Sequence, residues 1–223
     1  MESLQLYAQS LHNYHLHSDN TPHTMIRDDG ARIDIPPALY FRKEEDLLEV
    51  ERPIVTQVRG RVLVVGAGTG VHALPLQERG LTVAALEISP ALCEIMRDRG
   101  LQRVIQADIM TYQPTETFDT VVLAGRNIGI AGILANLDRL LERLLSLLAP
   151  SGQLLVDSWD FSKATAASDR HYFEDNRKRR PYPGEASYQV EYKGVVGEAF
   201  RWLYVSYATL DEFGLGRMMS LKR

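Results

Sequence analysis

The stretch Arg61–Leu76, RVLVVGAGTGVHALPL, constrains the fold more than any other part of the chain. Val62, Leu63, Val64 and Val65 form a branched apolar run that suits a strand buried on both faces. Gly66, Gly68 and Gly70 follow at alternate positions, and Val71-His72-Ala73-Leu74 opens a helical pattern. Strand, glycine turn and helix together begin a mononucleotide-binding βαβ unit. Glycine reaches positive φ without a Cβ clash, so the chain can turn tightly and a ligand can lie against its backbone. The free N–H groups of the new helix then point at that ligand.

Spacing narrows the choice of ligand. The dinucleotide fingerprint G-x-G-x-x-G would put its third glycine at position 71, which is Val71, and the Gly-Lys-Ser/Thr of a nucleotide-hydrolase phosphate loop is absent. The pattern is G-x-G-x-G, followed by Glu87 at the end of a second apolar run, Leu81–Leu86. A carboxylate there can accept both hydroxyls of a ribose. This arrangement resembles the class I S-adenosylmethionine-dependent methyltransferases. Ala107-Asp108-Ile109 after a third strand, Phe118-Asp119-Thr120-Val121-Val122 opening a fourth, and Leu148-Ala149-Pro150-Ser151-Gly152 before a fifth extend the resemblance in order.

The resemblance implies an α/β fold: a doubly wound, mostly parallel seven-stranded sheet with helices on both faces and an antiparallel C-terminal strand pair. It implies S-adenosyl-L-methionine as cofactor and S-adenosyl-L-homocysteine as product. The cofactor-binding positions it marks are Gly66, Ala67, Gly68, Gly70, Glu87, Ile88, Asp108, Ile109 and Gly125. One position departs from the family: the acid often found two residues before the first glycine is Val64 here. The amino acid end of the cofactor then falls to backbone carbonyls or to a residue of the N-terminal arm.

At 223 residues the chain suits one α/β domain with some decoration. Residues 1–57 read as an N-terminal arm, lid and helix, and 58–223 as the cofactor-binding domain, a single globular unit. A net charge of −4 argues against broad binding of nucleic acid, and no apolar run reaches membrane-spanning length. The single cysteine, Cys93, allows no internal disulfide and reads as a packing thiol, which fits a cytoplasmic protein. The start lacks the basic and apolar regions of a secretory signal. His12, His15, His17 and His23 lie close together but match no closed zinc pattern, so no metal is expected. A monomer or homodimer is expected.

Elsewhere the patterns predict a short helix at Ser3–Leu11, an extended Ile33–Pro37 and a helix over about 44–58. Helices are also predicted at Val71–Glu78, from Ser89-Pro90 to Arg99, and over Ile133–Leu148. Ser162–Pro183 is polar and basic, and a hairpin joins Tyr188–Tyr192 to Phe200–Ser206. Leu210–Phe213 reads as a helical turn and Gly216–Arg223 as a terminal strand.

Sulfonium methyl transfer asks a protein mainly to align the nucleophile and exclude water, with a base only for a protonated nucleophile. The family's geometry puts substrate over strands 4 and 5. That makes Asp160, Asn127 and His171 the catalytic candidates, with Asp160 first for orientation or proton removal. Arg126, Asn127, Asp157, Tyr40 and Tyr172 are the substrate-binding candidates, and Tyr40, Phe41 and Arg42 are lid residues or sheet packing. Asp160 also reads as an N-cap, and Arg126 as a surface ion pair. A motif for methylating nucleobase amino groups is missing after strand 4, so the expected acceptor is a small molecule, methylated on O or N. The rival readings are a protein or RNA substrate engaged by Arg177–Arg180, a cofactor-binding module that does not turn over, and a nicotinamide dehydrogenase.

Overall fold

The computed structural model describes residues 2–47, 49 and 51–213. The chain begins with α1 (Glu2–His17), then an antiparallel pair, β1 (His23–Arg27) and β2 (Arg32–Ile35), and the short α2 (Arg52–Gln57). An alternating stretch follows: β3 (Arg61–Val65), α3 (Ala73–Glu78), β4 (Thr82–Glu87), α4 (Pro90–Asp98) and β5 (Val104–Gln106). Next come β6 (Phe118–Leu123), α5 (Leu137–Leu145) and β7 (Leu148–Val156). The chain continues through α6 (Ala167–Arg179), β8 (Glu185–Tyr192), β9 (Val195–Val196), β10 (Phe200–Leu203) and α7 (Tyr207–Glu212).

Strands β5-β4-β3-β6-β7 form a five-stranded parallel sheet in that order. Alternate residues of its apolar strands feed two separate cores. Leu63, Val65, Leu86, Val121, Leu123 and Leu154 pack with the leucines of α5, whereas Val62, Val64, Val83, Val122 and Leu155 pack with α2, α3 and Cys93. Runs that are apolar at every position are what a parallel sheet covered on both faces requires. The strand order reverses between β3 and β6, and ligands of open α/β sheets bind at such a switch point.

The parallel sheet therefore has five strands, not the seven expected. The other strands form a second, antiparallel sheet, β10-β8-β1-β2, with β9 also on β8. Burial along β8 explains the split: from Glu185 to Tyr192 fully buried residues largely alternate with half-buried ones, so the strand has a single core face. Its neighbour is β1, paired Arg27 to Tyr188, so the first residues of the chain complete a sheet whose other strands follow residue 184. The predicted terminal strand Gly216–Arg223 lies outside the described residues. Ala186, Tyr188 and Leu203 carry this second sheet into the same core as α5.

Several boundaries differ from expectation. The first helix is longer, running on to His17, while its buried residues, Ser3, Ala8, Ser10 and Leu11, all lie within the predicted span. Residues 44–58 hold a 3-10 turn, Glu44–Asp46, and then α2, whose second residue is Pro53. The predicted Ile133–Leu148 helix keeps only Leu137–Leu145. A 3-10 turn, Leu134–Asn136, precedes it, and Leu148 already pairs with Phe118 in β7. The Ala149–Gly152 turn loops out within that strand, since pairing jumps from Phe118–Leu148 to Thr120–Gln153. Ser162–Pro183 holds α6. No described helix is long and apolar enough to cross a membrane.

Candidate active site

The site gathers at the C-terminal ends of β3, β4 and β6. After β3 the chain turns through Gly66 at φ 64° and Gly68 at φ 59°, conformations that only glycine takes without strain. The Gly66 and Ala67 N–H groups both donate to the Leu86 carbonyl, at 2.8 and 3.2 Å, which anchors the loop to β4. Nothing lies within 4 Å of a Cβ built on Gly68, so the middle of the loop faces open space.

Glu87 ends β4 with its carboxylate buried beneath this loop. Its Oε2 accepts the Gly68 N–H at 3.0 Å, and Oε1 accepts those of Ile88 and Ser89 at 2.9 and 3.0 Å. Burial raises its pKa above the ordinary glutamate value, against these three donors. Beyond it, Ser89 caps α4 and Pro90 takes the first helical position. After β5, Asp108 accepts the Met110 N–H at 2.8 Å, and Ile109 packs beneath.

After β6, Gly125 and Arg126 take consecutive left-handed conformations, φ 78° and 64°. Two such residues aim their N–H groups the same way. The buried Asp157 carboxylate accepts both, at 3.2 Å from Gly125 and 2.6 Å from Arg126. Asn127 then reaches across the switch point and donates its Nδ2 hydrogen to the Gly66 carbonyl at 2.7 Å. The loop after β6 thus braces the loop after β3.

Above these loops lies a cavity of about 710 Å³. Gly66, Gly68, Glu87, Ile88, Asp108, Ile109, Gly125 and Asn127 line it, as does Tyr40. The structure therefore brings together most of the residues marked from sequence. Ala67 and Gly70 do not line it: Ala67 is buried in the core beneath, and the missing Gly70 side chain leaves room for Leu74 and Met96.

Five other candidates do not line the cavity. Asp160 caps the turn Phe161–Lys163, accepting from the Ser162 N–H at 3.1 Å and its hydroxyl at 2.6 Å, so the capping reading holds. His171 is exposed on α6 beside Asp175. Tyr172 is buried and donates to Asp28 at 2.6 Å. Arg126 is exposed and sits over the Trp159 ring at 6.0 Å, with no carboxylate among the described residues in an ion pair with it. Asp157 acts on the backbone of the loop after β6 and is not a cavity residue.

Two features were not read from the sequence. Tyr7 on α1 lines the cavity beside Tyr40, their ring centroids 5.2 Å apart and edge to face. Burial pushes the Tyr40 hydroxyl up to about 12 and raises Tyr7 well above the ordinary tyrosine value, so both stay protonated. The opposite wall comes from the antiparallel sheet, through Met25, Tyr188, Phe200, Trp202 and Tyr204. Only the long-range pairing of β1, β8 and β10 assembles it, and no local motif announces that pairing. Tyr40 and Phe41 pack against α1 and α4 rather than on the sheet. His12 and His15 face Glu94 and Asp98, and His23 is buried with Nδ1 2.9 Å from the Ser10 hydroxyl.

Fold and site together define a Rossmann-like domain with one cavity at its switch point, walled by the strand-end loops and by the antiparallel sheet. A family model described as a methyltransferase domain matches residues 62–152. Over 96% of this chain and 86% of the other, the structure is similar to a SAM-dependent methyltransferase from Bacteroides fragilis in complex with S-adenosyl-L-homocysteine. The two share 27% identity and a TM-score of 0.81. A curated relative from Streptomyces fradiae, a dTDP-3-amino-3,6-dideoxy-alpha-D-glucopyranose N,N-dimethyltransferase, is 30% identical over 123 residues, 55% of this chain. The match covers 48% of that protein, so the chain spans about half the length of the curated relative. The sugar N-methyltransferase KedS8 from Streptoalloteichus sp ATCC 53650 shares the fold, with a TM-score of 0.53 and 20% identity over 83% of this chain and 86% of that one. The fold is that of the class I S-adenosylmethionine-dependent methyltransferases.

Proposed function

We propose that the protein is an enzyme that transfers a methyl group from S-adenosyl-L-methionine to an oxygen or nitrogen atom of a small molecule, leaving S-adenosyl-L-homocysteine. One observation carries this reading: a single cavity is walled on one side by the glycine loop, Glu87 and Asp108, and on the other by the antiparallel sheet. A cofactor and an acceptor can then meet in one enclosed space. The relatives' acceptors, where their names give them, are small molecules.

The residues present fit the cofactor. The open space over Gly68 leaves room for a ligand against the backbone, and the Glu87 carboxylate, with three of its four lone-pair sites taken by backbone N–H groups, keeps one on Oε2 for a ribose hydroxyl. Tyr7 and Tyr40 add hydroxyl donors above, and Asp108 adds an acceptor at the next strand end. When bound, the cofactor supplies an activated methyl group on a sulfonium that is its own leaving group. The chain's task is then orientation and exclusion of water. Glu87 fixes the nucleoside end, Asn127 holds the Gly66 carbonyl in place, and α1 with Tyr7 and Tyr40 closes the side toward solvent. Asp160 and His171, set away from the cavity, have no part in proton transfer under this reading, and an acceptor with a free lone pair needs none.

The same reading puts the protein in the cytoplasm, as a monomer or homodimer without a nucleic-acid partner. Buried Cys93 and the net charge of −4 support it. The rival macromolecular reading rests on the basic run. Arg177, Lys178 and Arg179 end α6 away from the cavity lining, and Arg180 is tied to Asp28.

Calorimetric titration with S-adenosyl-L-homocysteine, with NAD as the comparison, tests the cofactor. Binding of the former alone is expected. Binding of NAD alone, or of neither, overturns the reading.

A further inference from the structure

The acceptor side of the cavity has a chemistry of its own. Phe200 and Trp202 on β10 stand edge to face with centroids 6.3 Å apart, and Tyr188 on β8 lies 6.3 Å from Phe200. Met25 and Val190 fill the same wall. The place of Trp202 is built in. A Cβ on Gly129 would lie 2.0 Å from the indole, so the ring rests where only glycine leaves room. Gly129 belongs to the 3-10 turn Asn127–Ala131, the turn that begins with the residue bracing the glycine loop. The aromatic wall and the cofactor loop thus share one support.

The polar groups on this wall are few. The Tyr188 and Tyr204 hydroxyls lie 3.1 Å apart, and one must donate to the other. A phenol has one hydrogen to give, so the pair as a whole keeps a single donor for a ligand. Arg201, the cation on β10, is held by the buried Glu185 at 2.9 Å. Arg139 reaches the cavity from α5, whose Arg143 is bonded to the Ile109 carbonyl beside Asp108. A diphosphate calls for several converging cations or N–H groups. This wall, which also carries Glu198, offers flat apolar surface instead.

From this geometry we infer that the acceptor is a flat, apolar aromatic ring compound bearing one oxygen for the Tyr188–Tyr204 pair, and not a sugar carried on a nucleoside diphosphate. The inference rests on the methyl-transfer reading above and names its acceptor class. Apolar pockets with few, well-placed polar groups bind ligands of this kind. The ring would lie against Phe200 and Trp202, and its hydroxyl oxygen would accept the free phenolic hydrogen; that oxygen takes the methyl group as the sulfonium sulfur keeps the C–S electron pair, and the hydroxyl proton leaves to water at the open side of the cavity.

The test uses the full chain saturated with S-adenosyl-L-homocysteine, titrated calorimetrically with 2-naphthol and, separately, with thymidine diphosphate. Naphthol binding is expected, with no heat from thymidine diphosphate. Trp202→Ala and Gly129→Ala should each weaken naphthol more than tenfold, and Tyr204→Phe about tenfold. Trp202→Ala and Tyr204→Phe should keep their affinity for S-adenosyl-L-homocysteine within about twofold, which also reports that they fold. Tyr204→Phe, the smallest change, carries the test if either of the others fails to fold. Absence of naphthol binding, binding of thymidine diphosphate at this wall, or naphthol affinity indifferent to the variants overturns the proposal. The homocysteine titration stands apart, so failure of the cofactor reading is seen separately.

Discussion

Glu87 holds a charge where burial opposes it. Its carboxylate takes three backbone N–H groups and still has its pKa raised, because desolvation outweighs them. Binding a ribose hydroxyl needs the ionised form, which offers the most acceptor sites. Affinity for S-adenosyl-L-homocysteine should therefore fall as pH drops through this raised value, at a higher pH than an ordinary glutamate near 4.5 would give. Glu87→Gln should weaken binding at neutral pH by about 10–100-fold, the worth of one charged hydrogen bond, and flatten the acid limb. Calorimetry across a pH series reads both effects; an unchanged acid limb in the variant would assign it to another group. Gly66 is the second sensitive residue. At φ 64° an alanine is strained, and its Cβ would sit 2.7 Å from the Asn127 amide nitrogen. Gly66→Ala should cost about 1–3 kcal/mol in urea unfolding and abolish cofactor binding.

Among the elements, α6 and β1 show most clearly what a local pattern conveys and what it hides. The parallel strands were legible, since branched apolar runs between glycine turns have few other solutions. The α6 segment was not: only Tyr172, Phe173 and Asn176 are buried along its thirteen residues, too few to draw an apolar stripe. Strand β1, HTMIR, hides for the opposite reason. It buries His23, Thr24 and Arg27, and each meets a partner outside the strand. Ser10 meets His23, Asp34 meets Thr24 at 2.5 Å, and Asp29 and Asp169 hold Arg27 at 2.9 and 2.7 Å. The Arg27 guanidinium also stacks 4.0 Å from the Tyr172 ring, so it clamps α6 to the strand. Arg27→Ala should lower unfolding stability by about 3 kcal/mol, read by urea denaturation, because packing and paired charge go together. The exposed end of α6 carries no such duty. Changing Arg177, Lys178 and Arg179 together to Ala should leave methyl transfer to a small acceptor within twofold, and a large loss would favour a macromolecular substrate.

At the scale of the molecule, the cavity is a seam between two sheets of different character. The cofactor side was readable because its residues are near neighbours of three strand ends. Gly66, Gly68, Glu87 and Asp108 each follow a recognisable apolar run. The acceptor side was not, since Met25, Tyr188 and Trp202 come from both ends of the chain and meet only through sheet pairing. Asp160 and His171 follow strand 5 closely in sequence, but the first caps the turn Phe161–Lys163 and the second is exposed on α6.

The pairing of Arg27 with Tyr188 also sets a timetable. On a ribosome that adds about 5–20 residues per second, β1 emerges on the order of 10–30 s before the strand it needs. The parallel sheet can close in that interval from segments close together in sequence, whereas the β1–β2 hairpin waits with one edge open. The antiparallel wall thus closes after the parallel sheet, and a nascent chain stopped before residue 184 would own the strand-end loops with only half of the cavity around them.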